Sequence, residues 1–179
     1  SNYKGKPLGS LGHFAAFSFH ETKNIISGEG GALIINDQSF VERAEIIREK
    51  GTNRSLFIRG EVDKYSWCDI GSSYLPSDII AAFLLNQLKI SKDITSKRLA
   101  IWRNYHDLIE PLEKLGLLKR PTIPKGCNHN GHIYYVLVEK EKRNYIIKKM
   151  RESNIEVTSH YVPLHSSEAG VKYSKTSGL

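Results

Sequence analysis

Two short apolar runs place the first constraint on this chain. His13–Phe19 and Ala32–Asn36 are too brief for helices and rich in Phe, Ala, Leu and Ile, so they read as buried strands. The residues between them, 20–31, are polar and close on Gly28-Glu29-Gly30-Gly31. A loop of this kind is held at both ends by buried backbone. Its glycines let the main chain approach a ligand closely.

The rest of the chain changes from helical to mixed patterning. Asp37 and Ser39 are suitable N-caps for a helix reaching about Lys50, with Gly51 as its stop. From Thr52 to Tyr74 no period is visible, which predicts an extended loop, and loops of that length are more often functional than incidental. Ile79, Ile80, Phe83, Leu84 and Leu88 then fall three and four apart. Leu99, Trp102, Tyr105, Leu108, Ile109 and Leu112 continue the pattern, so the spacing predicts helices over 77–90 and 91–115. Beyond Gly116 and Pro121, residues 132–138 and 155–160 read as strands and 143–153 as a helix, a small α+β unit. The chain divides accordingly into 1–76, 77–116 and 117–179.

Composition narrows the function. The 179 residues are 40% hydrophobic and 25% charged, which is ordinary for a folded globular chain. A net charge of +7 raises the question of nucleic acid. The basic residues are nevertheless interleaved with acids, as in Glu42-Arg43-Ala44-Glu45 and Glu139-Lys140-Glu141-Lys142-Arg143, and no nucleic-acid-binding motif is present. Such stretches are solvated helix faces, and an anionic small substrate such as a nucleotide diphosphate suits the charge equally well. Cys68 and Cys127 belong to no Cys/His metal spacing, so no metal site is expected. No apolar run reaches eighteen residues and no signal-peptide order opens the sequence, so a cytoplasmic protein with free thiols and no membrane segment is expected.

The segment richest in chemistry is Phe17-Ser18-Phe19-His20-Glu21-Thr22-Lys23-Asn24. It places a hydroxyl and an amine five residues apart at the start of the glycine-rich loop. An amine sheltered from water gives up its proton more easily and attacks carbonyls, while a hydroxyl and backbone amides hold phosphate. On composition alone, a loop lysine is solvated, loop glycines make turns and His20 is a surface residue. Spacing leaves both readings open.

Ser18-Phe19-His20-Glu21-Thr22-Lys23-Asn24 with the following Gly28-Glu29-Gly30-Gly31 resembles the cofactor-lysine signature of the DegT/StrS-type sugar aminotransferases. The likeness continues through Glu45–Arg54, Asp69–Tyr74, Asp78, Ala81-Ala82, Gln87-Leu88 and His160-Tyr161-Val162-Pro163-Leu164-His165, covering essentially the whole chain. It implies an α/β architecture of the aspartate-aminotransferase-like kind, fold type I of enzymes using pyridoxal 5'-phosphate. Residues 1–76 would then be the C-terminal part of the large cofactor domain and its parallel sheet, 77–116 linking helices, and 117–179 an incomplete small domain.

The resemblance also implies roles. Lys23 corresponds to the lysine that forms the Schiff base with pyridoxal 5'-phosphate and moves protons as acid and base. Ser18 corresponds to a hydroxyl on the cofactor phosphate. Ser73 stands where relatives carry a phosphate-touching asparagine from a neighbouring subunit, which implies a homodimer with shared active sites. His20, Arg54, Arg59, Tyr74 and His165 are the substrate-binding candidates, the arginines suiting a diphosphate. The implied reaction moves an amino group, from glutamate in most relatives, to the 4-keto group of a dTDP-linked 6-deoxyhexose, a step of polysaccharide-antigen synthesis. Such enzymes need a carboxylate against the cofactor ring nitrogen, and residues 1–22 contain no Asp while Glu21 is too near Lys23. The chain is therefore expected to be a fragment that pairs with a copy of itself, and the alternative reading is a non-catalytic module of the same fold that binds no cofactor.

Overall fold

The computed structural model describes residues 1–175; the last four residues of the expected 117–179 unit lie outside the described residues. The first two strands, β1 (Asn2–Tyr3) and β2 (Lys6–Pro7), form a tight hairpin. The two apolar runs form β3 (Phe14–Ser18) and β4 (Gly31–Ile35), paired from Phe14 opposite Ile35 to Ser18 opposite Gly31. Their pairing is antiparallel, which corrects the expected parallel sheet for the strands this chain supplies. The reason is local: the intervening loop folds back on itself, with the Phe19 N–H on the Gly30 carbonyl at 2.8 Å and the Ser27 N–H on the Phe19 carbonyl at 2.7 Å. A loop closed by such bonds returns the chain beside its own strand.

Asp37 caps the next element as expected. Its carboxylate accepts from the Ser39 N–H and hydroxyl at 3.0 and 2.7 Å, which holds its pKa below the usual carboxylate value. One 3-10 turn, Gln38–Phe40, leads into α1 (Val41–Arg48). The supposed unstructured stretch after Thr52 contains a short helix, α2 (Arg54–Ile58), and is pinned at both ends. Gly51 makes this possible. It sits at φ +74°, and a Cβ there would run into the Asp69 carbonyl, so the 66–74 segment crosses directly over its backbone. Thr52, 1% exposed, donates its hydroxyl to the Glu49 carbonyl at 2.7 Å, and the Glu49 carboxylate takes Arg54 at 2.7 Å. Aperiodic sequence here hides an ordered knot, because side-chain-to-backbone bonds carry no period.

The two expected helices are present: α3 (Asp78–Lys89), capped by the Ser77 hydroxyl, and α4 (Ser91–Lys114), joined through Ile90. At 1.5 Å per residue α4 is roughly 36 Å long. Its inner face carries Trp102, 8% exposed, whose indole lies 4.7 Å from His106, 4.4 Å from His129 and 5.3 Å from Tyr134. Trp102 is the buried hydrophobic side chain at the centre of this aromatic cluster. Arg120 closes the far end, its backbone N–H and guanidinium bonding both Glu113 oxygens at 2.7 and 2.6 Å and drawing the Glu113 carboxyl below its ordinary pKa.

After α4 the chain returns to the start. Strand β5 (Cys127–Asn128) pairs with β1, so a small sheet in the order β2-β1-β5 ties the first residues to the segment after the long helix. Helix α5 (Lys140–Glu152) and a short terminal helix, α6 (Glu168–Tyr173), complete the described elements. The expected strands at 132–138 and 155–160 do not form. The first makes one isolated bridge, Leu137 with Lys119, and the second has no ladder among the described residues. Strand-like alternation needs a neighbour to pair with, and Ile133, Leu137 and Ile155 remain 51%, 57% and 47% exposed.

The same shortfall holds for the whole molecule. Its accessible surface is 14413 Å². A compact monomer of 20.3 kDa would expose roughly 8,800 Å². The excess carries large side chains, including Phe14, Leu33, Ile79, Phe83, Leu108 and Leu112. Exposed apolar faces of this size suit burial against further structure.

Candidate active site

Lys23 sits in a turn immediately beyond β3, where its N–H bonds the His20 carbonyl at 2.9 Å. The turn is built from side chains. His20 Nδ1 accepts from the Thr22 N–H at 3.2 Å and meets the Thr22 hydroxyl at 3.0 Å. The ring hydrogen is then on Nε2, which lies 3.5 Å from Glu29 across the loop. Ser27 is buried, with its hydroxyl on the Glu29 carbonyl at 2.8 Å, and fills the space a Cβ on Gly30 would take, 2.6 Å away. Gly30 is thus required by packing as well as by its φ of +151°.

Lys23 itself is half-buried, and its ammonium has no ion pair or hydrogen bond among the described residues. Its backbone N–H is tied to His20, and its charge lies near enough to His132, from a distant segment, to act on that ring. Ser18 ends β3 exposed, its oxygen accepting weakly from the His20 N–H at 3.4 Å and its own hydrogen uncommitted among the described residues.

A brace that sequence reasoning missed holds this turn. Asn24 donates from Nδ2 to the Asn130 carbonyl at 2.7 Å, and its Oδ1 lies 2.9 Å from His132 Nδ1. Helix α4 grips the same strip: Arg98 donates to the His132 carbonyl and the Trp102 indole to the Ile133 carbonyl, each at 3.1 Å. Gly131 lies against the Arg98 backbone. Burial, then the nearby positive charges of Lys23 and Arg98, push the His132 pKa below that of free histidine. Asn24 was visible inside the motif, yet nothing in spacing connects position 24 to position 132.

The remaining candidates gather elsewhere. Ser73 pairs with Glu49 in an isolated antiparallel bridge, and Tyr74 bonds the Arg48 carbonyl through its N–H at 3.0 Å with its ring two-thirds exposed. Arg54 is committed to Glu49, and Arg59 to Glu45 and Glu61 at 2.9 and 2.7 Å, so both guanidinium groups already hold carboxylates. His165 lies exposed in the 3-10 turn Leu164–Ser166. The structure joins His20 and Ser18 to Lys23. Among the described residues no hydrogen bond or ion pair joins Ser73, Tyr74, Arg54, Arg59 or His165 to that turn.

An amine without ionic partners among the described residues, five residues beyond a hydroxyl in sequence, suits a ligand with a carbonyl at one end and a phosphate at the other. No group of three or more His, Cys, Asp or Glu side chains among the described residues is arranged to hold a metal ion. No helix among them is long and apolar enough to cross a membrane.

Residues 1–178 match the model of the DegT/DnrJ/EryC1/StrS aminotransferase family, and the chain belongs to that family. An uncharacterised protein of Methanocaldococcus jannaschii is 33% identical over 172 residues, covering 92% of this chain and 44% of the relative. A DegT DnrJ EryC1 StrS aminotransferase from Brucella abortus superposes with TM-score 0.79 at 28% identity, over 98% of this chain and 44% of that one. A Streptococcus pneumoniae protein described as a sugar aminotransferase, solved in a PLP form, gives 0.77 at 25% identity, over 95% and 43%. The chain therefore spans less than half the length of the relatives it matches, and its fold is the corresponding portion of an α/β aminotransferase.

Proposed function

We propose that this chain carries the cofactor lysine of a pyridoxal-phosphate-dependent sugar-nucleotide aminotransferase, and that Lys23 is that lysine. The observation that carries the reading is the Lys23 amine, half-buried and unpaired among the described residues, in a turn bounded by the free Ser18 hydroxyl. Lys23 would anchor the aldehyde and hold or release the proton that moves during amino transfer; Ser18 would donate to the phosphate. When bound, pyridoxal phosphate supplies the electron sink. His20 stands at the rim of the same turn, fixed by Thr22 and Glu29, and would meet the sugar.

Ser73, Tyr74, Arg54, Arg59 and His165 then belong to regions that reach a site only in an assembly, which favours a homodimer with shared sites. Residues 1–76, 77–116 and 117–179 would serve as the end of the large domain, linking helices and small domain. Relatives are named for UDP-, dTDP- and GDP-linked sugars. Among these we favour amination at C4 of a dTDP-linked 6-deoxyhexose, the reaction of dTDP-4-amino-4,6-dideoxygalactose transaminase, with glutamate as donor and the cytoplasm as its place.

Adding pyridoxal phosphate to the full-length protein, reducing with borohydride and mapping the modified lysine tests the assignment. Label concentrated on Lys23, and loss of turnover in Lys23→Ala, are expected. Label scattered over surface lysines would leave a non-catalytic module of the same fold.

A further inference from the structure

The side chain after the cofactor lysine is fixed from both sides. Asn24 Nδ2 donates to the Asn130 carbonyl at 2.7 Å, and because a carbonyl only accepts, the orientation of the amide is settled. Its oxygen therefore faces His132 Nδ1 at 2.9 Å. That oxygen cannot donate, so the hydrogen between them belongs to His132 Nδ1, and Nε2 is left as a lone pair with no partner among the described residues. The strip beneath is clamped to α4 by Arg98 and Trp102. A continuous line of hydrogen bonds thus runs from a packed helix to the residue adjoining Lys23.

We propose that Asn24 and His132 are a positioning pair for Lys23. Asn24 selects the Nδ1–H form of the ring, and the ring, anchored through its own backbone to α4, holds the 20–24 turn so that the Lys23 amine is aimed outward from it. The proposal rests on the reading of Lys23 as the cofactor lysine. Its chemistry follows from place: burial first, and then the nearby charges of Lys23 and Arg98, disfavour a positive charge on the ring. Neither Asn24 nor His132 needs to touch the cofactor.

Two measurements on the full-length protein test this. Nitrogen-15 NMR of the histidine rings should find His132 as the Nδ1–H tautomer in the unaltered protein and as the Nε2–H tautomer in Asn24→Ala. The rate at which pyridoxal phosphate is trapped on Lys23 by borohydride should fall about tenfold or more in Asn24→Ala and His132→Ala, the effect of losing a hydrogen bond of about 1.4 kcal/mol. His132→Asn, whose amide nitrogen replaces Nδ1, should restore the rate to within about twofold. A bulk structural role would not be rescued in this way. Unchanged trapping in Asn24→Ala overturns the pair and leaves Lys23 as the cofactor lysine. An Nε2–H ring in the unaltered protein overturns it without any variant. Failure to label Lys23 in the unaltered protein overturns both readings together.

Discussion

If the aromatic cluster on α4 supports the candidate site, removing its centre must loosen both stability and the strip that braces Lys23. Trp102 is 8% exposed, contacts His106, His129 and Tyr134 rings within 5.3 Å, and donates to the Ile133 carbonyl at 3.1 Å. Trp102→Ala removes a buried aromatic and leaves a cavity, a loss of about 3–5 kcal/mol. Trp102→Phe keeps most of the packing and strands the Ile133 carbonyl, which costs about 1–3 kcal/mol. With a urea dependence of about 2 kcal/mol per molar, the alanine variant should unfold at roughly 1.5–2.5 M less urea. Circular dichroism follows the transition, and hydrogen exchange at residues 131–134 should speed up in both variants. Lys97→Ala, on the same helix but exposed and unpaired, should change nothing measurable. A midpoint shift below about 0.5 M for Trp102→Ala would refute the reasoning, since it would mean that the strip is held by something other than this cluster.

Other outcomes follow from single contacts. Thr52→Val keeps the shape and deletes the hydroxyl on the Glu49 carbonyl; at 1% exposure the loss should be about 1–2 kcal/mol in thermal unfolding. Gly51→Ala meets both a left-handed φ of +74° and the Asp69 carbonyl, whereas Gly60→Ala at φ +73° meets nothing within 4 Å. The second should cost about 1–2 kcal/mol and the first clearly more, in urea midpoints. His132 has a folded pKa below the free value of 6.5, so the unfolded chain binds the extra proton first as pH falls. Stability should therefore drop as pH is lowered through about 6.5, and the slope of melting temperature against pH should flatten in His132→Gln. The described chain alone should self-associate, and light scattering that finds a well-folded monomer at high dilution would count against the exposed apolar faces as assembly surfaces.

Residues differ sharply in how far sequence revealed them. Helices α3 and α4 were legible almost to the residue because an apolar stripe encodes each locally and the Ser77 cap marks the start of α3. The β3–β4 pair was legible as two strands but not in its direction, which depends on how loop 19–30 bonds to itself. Residues 132–138 and 155–160 alternate as strands should, and alternation reports a side-chain preference, not the presence of a partner strand. Lys23 and Ser18 were picked out by their motif. Asn24, His132, Arg98 and Trp102 were not, because their link is made of hydrogen bonds between positions more than thirty or a hundred residues apart, and such bonds leave no period to read.

That distribution bears on where precision in the site originates. The loop carrying Lys23 has local scaffolding in Thr22, Ser27 and Gly30, enough to fix its backbone, with Ser27 alone of the three buried. In the proposed reading Lys23 anchors a ligand and needs support from a packed element, and the hydrogen bonds of Asn24 lead to the inner face of α4. The most buried apolar side chain of the described residues, Trp102, therefore stands two hydrogen-bonded segments away from the amine. If the proposed pair aligns Lys23, stability and alignment are coupled through that path, so substitutions of Arg98 or Trp102 on the inner face of α4 should alter the reactivity of Lys23.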